Sequence, residues 1–143
     1  MRLCAICPSI PTPPALPVPS DNLGLLLLSG SHDRAHYAFV LAAGAAALGR
    51  SVVLFASNRG CLGLAADWSS LDGSARDARV QAAGVAGLDE LREASIELGV
   101  RLIACEAGLR SEAIGSDSFL PSVEIAGVAT FLAAVGDGQI ITL

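Results

Sequence analysis

Residues Leu25-Leu26-Leu27-Leu28 form a run of four leucines with no polar residue among them. A strand with one wet face alternates apolar and polar side chains, so a continuous run demands cover on both faces. Residues 23–29 therefore read as a central parallel strand, and parallel neighbours are joined through helical crossovers. Val52-Val53-Leu54-Phe55 and Leu102-Ile103-Ala104 are further short apolar runs of this kind, placing strands at residues 51–56 and 100–105.

The intervening segments supply the helices. Residues 34–48 read as a helix closed by Gly49, with Asp33 as its N-cap. Residues 87–98 form an amphipathic helix: Leu88, Leu91, Ser95 and Leu98 share the inner spacing, Asp89, Glu90, Arg92, Glu93 and Glu97 face water, and Gly99 ends it. A short helix over residues 106–114, a short strand at 122–125, a helix over 127–135, the Gly136-Asp137-Gly138 turn and a last strand at 139–143 complete the order. That order predicts an α/β fold, a three-layer α/β/α sandwich with right-handed crossovers. Residues 67–86 show no convincing period and read as a long loop starting at the carboxyl edge of the sheet, placed to act as a lid. Its Arg76 and Arg79 either reach an anion there or are solvated loop charges.

Residues 1–22 hold six of the seven prolines and read as an extended or disordered leader to a single domain at residues 23–143. The formal charge of −5, with nine scattered basic residues, argues against a nucleic-acid surface. No apolar run reaches the roughly 20 residues that span a bilayer. The four cysteines, Cys4, Cys7, Cys61 and Cys105, are too few and too dispersed for a disulfide framework, so a reducing, cytoplasmic setting is expected. Cys4 and Cys7 have C-x-x-C spacing, but no second pair or nearby His completes a metal site. No cofactor motif, paired acid or Ser–His–Asp arrangement is visible.

From Tyr37 to Leu48 no charged or strongly polar residue occurs. A surface helix should show a polar stripe. One face of this helix can pack on the sheet; the other calls for burial against a second copy, or else against residues 57–86 or the leader. The reading taken here is a homo-oligomer built through residues 34–48.

The candidate chemistry lies at the carboxyl edge, where open α/β sheets bind ligands. Cys105 ends a strand and precedes a helix N-terminus, which suits a nucleophilic thiol; the alternative is a small core residue. Cys61 follows Ser57-Asn58-Arg59-Gly60 on the same edge and is either a second, resolving thiol or a small hydrophobe beneath a short helix at 62–66. Arg59 would support a thiolate and Glu106 oppose one, while His32, His36 and Glu124 are candidate supporting groups. The turn Ser29-Gly30-Ser31-His32-Asp33 is neither a G-x-G-x-x-G nor a P-loop, although its N–H groups could cradle an anion.

Several stretches resemble DsrE/DsrF-like proteins. They are Leu25-Leu26-Leu27-Leu28-Ser29-Gly30 with Asp33-Arg34-Ala35, the segment from Ala45 to Phe55, the segment from Glu97 to Glu106, and the segment from Val123 to Leu132. The resemblance implies a mostly parallel five-stranded sheet and assembly into trimers or hexamers. It also implies that Cys105 stands where sulfur-relay members carry a persulfide and pass it to a partner protein. The leader and residues 67–86 depart from the short sulfur-relay members. The expected function is thus a sulfur carrier or sulfurtransferase-like protein using Cys105, with sulfur donor and acceptor proteins as partners. The alternatives are a non-enzymatic oligomeric small-ligand-binding or assembly protein, and a two-thiol redox protein using Cys61 and Cys105.

Overall fold

The computed structural model describes residues 10–15 and 20–143. Cys4 and Cys7, and most of the leader, lie outside them. The strands are β1 (Leu23–Leu27), β2 (Val52–Ala56), β3 (Arg101–Cys105), β4 (Glu124–Ala126) and β5 (Gln139–Thr142), and the helices α1 (His32–Ala47), α2 (Arg76–Ala82), α3 (Leu88–Glu97), α4 (Glu106–Ser111) and α5 (Val128–Val135). A 3-10 helix, Asn58–Leu64, follows β2. The five strands form one sheet in the order β4-β3-β2-β1-β5, and every pairing is parallel.

Topology dictates which helix covers which face. Steps from β1 to β2 to β3 run in one direction, so right-handed crossovers place α1 and α3 on the same face. The step from β4 back past β1 to β5 runs the other way and sends α5 to the opposite face. Two cores result. Leu23, Leu25, Leu27, Leu54, Leu102 and Ala104 pack with Phe39 and Ala42 of α1 and Leu88 of α3. Val53, Phe55, Ile103 and Cys105 pack with Phe131 and Val135 of α5. Gly24 lets α5 approach, since a Cβ there would lie 2.6 Å from Val135 Cγ2 and 2.9 Å from Phe131 Cζ.

Glycines stop the helices where the sequence predicts: Gly49 and Gly99 take φ of +87° and +82°. Other expectations need correction. The N-cap of α1 is Ser31, not Asp33, because the His32 N–H donates to the Asp72 carbonyl at 2.8 Å and starts the helix earlier. The short helix after β2 begins at Asn58 instead of residue 62. Residues 67–86 contain α2, and the loop before it is pinned at both sides: Ala66 N–H donates to Ser118 O and Asp72 N–H to Gly30 O, each at 2.8 Å. On α3, Arg92 is buried and donates to Ala65 O at 2.7 Å, while Leu98 is exposed; the buried loop carbonyl draws the guanidinium inward.

Candidate functional site

Cys105 ends β3 at the carboxyl edge and is the N-cap residue of α4. Its side chain belongs to the α5-side core, and the residue is only 7% exposed. It lines none of the described cavities. The nearest in sequence is lined by its neighbours Glu106, Leu109 and Arg110, with Ile114 and Ile125.

Cys61 is fully buried in the opposite core, and its thiol donates to the Ala56 carbonyl at 3.3 Å. Burial pushes its pKa up to about 11; the neighbouring Cys105 thiol adds to the rise, while the Cys105 main-chain N–H opposes it. Both thiols are free. Arg59 pairs with Asp72 at 3.2 Å, and its side chain covers Gly30. Glu106 pairs with Arg110 at 2.7 Å on the surface of α4. Glu124 accepts two hydrogen bonds from Arg101, at 2.6 and 2.9 Å. Each expected supporting group is thus engaged with another partner.

The early start of α1 brings His32 and His36 together, stacked with ring centroids 5.7 Å apart. His36 Nε2 bonds the Ala86 carbonyl at 2.8 Å. His32 is fully buried, with the Trp68 ring 5.6 Å away. Its Nε2 bonds Asp77 Oδ1 at 2.8 Å, and the same oxygen accepts the Leu88 N–H at 2.8 Å. Gln81 Nε2 donates to the other Asp77 oxygen at 2.7 Å. Burial acts to raise the Asp77 pKa, but the bonds from Leu88, His32 and Gln81 outweigh it and hold the carboxyl below its usual range. One carboxylate thus gathers the first residues of α1 and α3 onto the first turn of α2, where the positive helix ends favour its charge. Sequence reading missed this cluster because Asp77 lay in a segment with no recognised helix.

At the β1–α1 turn, whose N–H groups could have cradled an anion, the donors are mostly taken. His32 N–H is taken by Asp72 O, Arg34 N–H by Asp33 Oδ1 and Ala35 N–H by Ser31 O. The space lies further along α1. A cleft of about 530 Å³ opens between His36, Tyr37 and Val40 of α1 and Arg76, Arg79 and Val80 of α2, with Ala83 and Val85 at one end. A second cavity of about 430 Å³ shares Arg76 and Arg79 and adds Asp33, Asp72, Gly73 and Ala75. Among the described residues, no group of three or more His, Cys, Asp or Glu side chains could hold a metal ion, and no helix is long and apolar enough to cross a membrane.

Comparison with known proteins places this architecture. No curated protein matches the sequence. Among solved structures, the chain is similar to MTH1491 of Methanobacterium thermoautotrophicum, a protein of unknown function, with a TM-score of 0.55 and 16% identity over 85% of this chain and 98% of that one. At that identity the likeness concerns the fold. The model of the DsrE/DsrF/DrsH-like family matches residues 62–143, more than half of the sequence and the part that contains β3, Cys105 and α5. The chain belongs to the DsrE/DsrF/DrsH-like family.

Proposed function

We propose that this chain is a non-enzymatic, small-ligand-binding member of the family that assembles with copies of itself. One contrast carries the reading. The roomiest described cleft is lined by two arginines and apolar walls and by no thiol, while the Cys105 thiol lines no described cavity. The assembly surface is the C-terminal half of α1, where Gly44, Ala47 and Leu48 are exposed, Leu48 by 85%. A Cβ on Gly44 would meet nothing within 4 Å. Sedimentation velocity of the wild type and Gly44→Arg tests this: oligomers that dissociate in the variant support it, and a monomeric wild type removes it. The free thiols of Cys61 and Cys105 favour a reducing, cytoplasmic setting.

A sulfur-carrier reading is the second, favoured by the position of Cys105 at the end of β3 within the family-matched segment. In that chemistry the thiolate attacks a donor's sulfane sulfur, displaces the donor thiolate and becomes Cys–S–S⁻; an acceptor thiolate then takes the outer sulfur. It requires the thiol to open to a donor, since access controls such exchange. A two-thiol redox role is disfavoured because Cys61 is fully buried and burial raises its pKa to about 11, which keeps the thiol protonated. The deciding experiment is incubation with a persulfide donor followed by intact mass and peptide mapping. The binding reading expects no sulfur on Cys105. A gain of one sulfur that maps to Cys105 and disappears in Cys105→Ser would overturn it in favour of sulfur relay.

A further inference from the structure

We infer that the α1–α2 cleft takes an organic anion, a carboxylate on an aliphatic or aromatic body, and this assignment rests on the small-ligand reading above. Arg76, Arg79, Val80 and Ala83 recur at helical spacing and line the cleft from α2, opposite Tyr37 and Val40 of α1. The two arginines also line the neighbouring cavity, which adds Asp33 and Asp72, so they stand at the seam between the two hollows. Arg76 Nη1 is buried and has no hydrogen-bond partner. That atom is sealed from solvent; it is the Arg76 and Arg79 side chains lining the cleft that set two positive charges beside its apolar wall, where an organic anion's charge would be favoured. The guanidinium fork suits a planar carboxylate, which can take two parallel N–H donors.

The acidic groups at the seam are already engaged. Asp72 pairs with Arg59 at 3.2 Å. Asp33 accepts from the Ser31 hydroxyl and the Arg34 N–H, and these bonds, with the charges of Arg76 and Arg34, hold its carboxyl below its usual range against the opposing effect of burial. Neither aspartate pairs with Arg76 or Arg79 within 4 Å among the described residues. Tyr37, Val40, Val80 and Val85 then offer apolar contact to the ligand's body. The cleft volume falls in the range of about 300–1,000 Å³ that holds small ligands.

Calorimetric titration of the full chain with octanoate, octanamide and sodium sulfate tests the assignment. Octanoate should bind at least about tenfold more tightly than octanamide, the factor expected for one charge-assisted hydrogen bond. Arg76→Gln and Arg79→Gln should each weaken octanoate about tenfold and leave octanamide unchanged, with circular dichroism confirming that both variants fold. Sulfate should bind more weakly than octanoate, and Val80→Asn should weaken octanoate without changing sulfate. Equal binding of octanoate and octanamide would overturn the anionic assignment while leaving a ligand-binding protein. Sulfate binding as tight as octanoate would overturn the apolar half of it. No binding of any of the three would overturn both this assignment and the broader reading.

Discussion

Removing the Asp77 carboxylate should be among the most damaging single changes in the chain. Asp77→Ala orphans the Leu88 N–H and the His32 Nε2 donor, both of which belong to fully buried residues. Each buried donor left unpaired costs about 1–3 kcal/mol, so the pair costs about 2–6 kcal/mol. Gln81 is exposed and can turn to water, adding little. Asp77→Asn keeps an acceptor for both donors and loses only the charge, for about 1–2 kcal/mol. Urea denaturation followed by circular dichroism reads these values. With a slope of about 2 kcal/mol per molar, the midpoint should fall by about 1–3 M in Asp77→Ala and by 1 M or less in Asp77→Asn.

The pH dependence has a definite sign. A carboxyl held below its ordinary value in the folded state contributes stability that is fully present above the unfolded pKa. That stability disappears as pH falls through the lower, folded value. The gap between wild type and Asp77→Asn should therefore shrink as pH falls below about pH 4. Asp33, Asp67 and Glu124 are also held low, but they titrate in both proteins and cancel in the difference. A gap unchanged between pH 7 and pH 3, or an Asp77→Ala cost below about 1 kcal/mol, would refute the three-helix anchor.

Three other substitutions probe the backbone. Gly44→Ala, in the C-terminal half of α1 and with open space around it within one copy, should stabilise the dissociated chain by about 0.5–1 kcal/mol in urea denaturation at low protein concentration. Gly60→Ala places a Cβ on the Leu27 carbonyl, a backbone atom that cannot turn aside, and should destabilise by about 3 kcal/mol. Ala113 has φ of +52°, so Ala113→Gly should raise the thermal midpoint by relieving about 1 kcal/mol of strain. The thiol of Cys61 can be checked chemically. With a pKa of about 11, roughly one molecule in a thousand is thiolate at pH 8, so native protein should leave Cys61 unalkylated by iodoacetamide after peptide mapping while denatured protein labels it.

Much of the architecture was legible because its signals are local. Leu25 to Leu28 demanded a doubly covered strand, and β1 lies inside the sheet, flanked by β2 and β5. Gly49 and Gly99 marked helix ends by their need for positive φ. The position of Cys105 at a strand end was equally local. Its burial was not, because α5, which supplies Phe131 and Val135 to the same core, follows later in the chain. Helix α2 escaped notice because seven residues set among Gly, Ser and Ala display too few turns for a period to emerge. Without α2, neither Asp77 nor the cleft at Arg76 and Arg79 could be placed. Arg92 misled for a related reason: spacing assigned it to water, whereas the carbonyl that holds it comes from Ala65 on another segment.

The lengths of the two outermost strands carry a further consequence. β4 has three residues and β5 four, so each rim of the sheet offers a stranger's backbone only a few open donors and acceptors. Rims that brief are poor templates for runaway strand addition. A chain this rich in leucine, valine and alanine thus presents little open backbone for unwanted strand pairing.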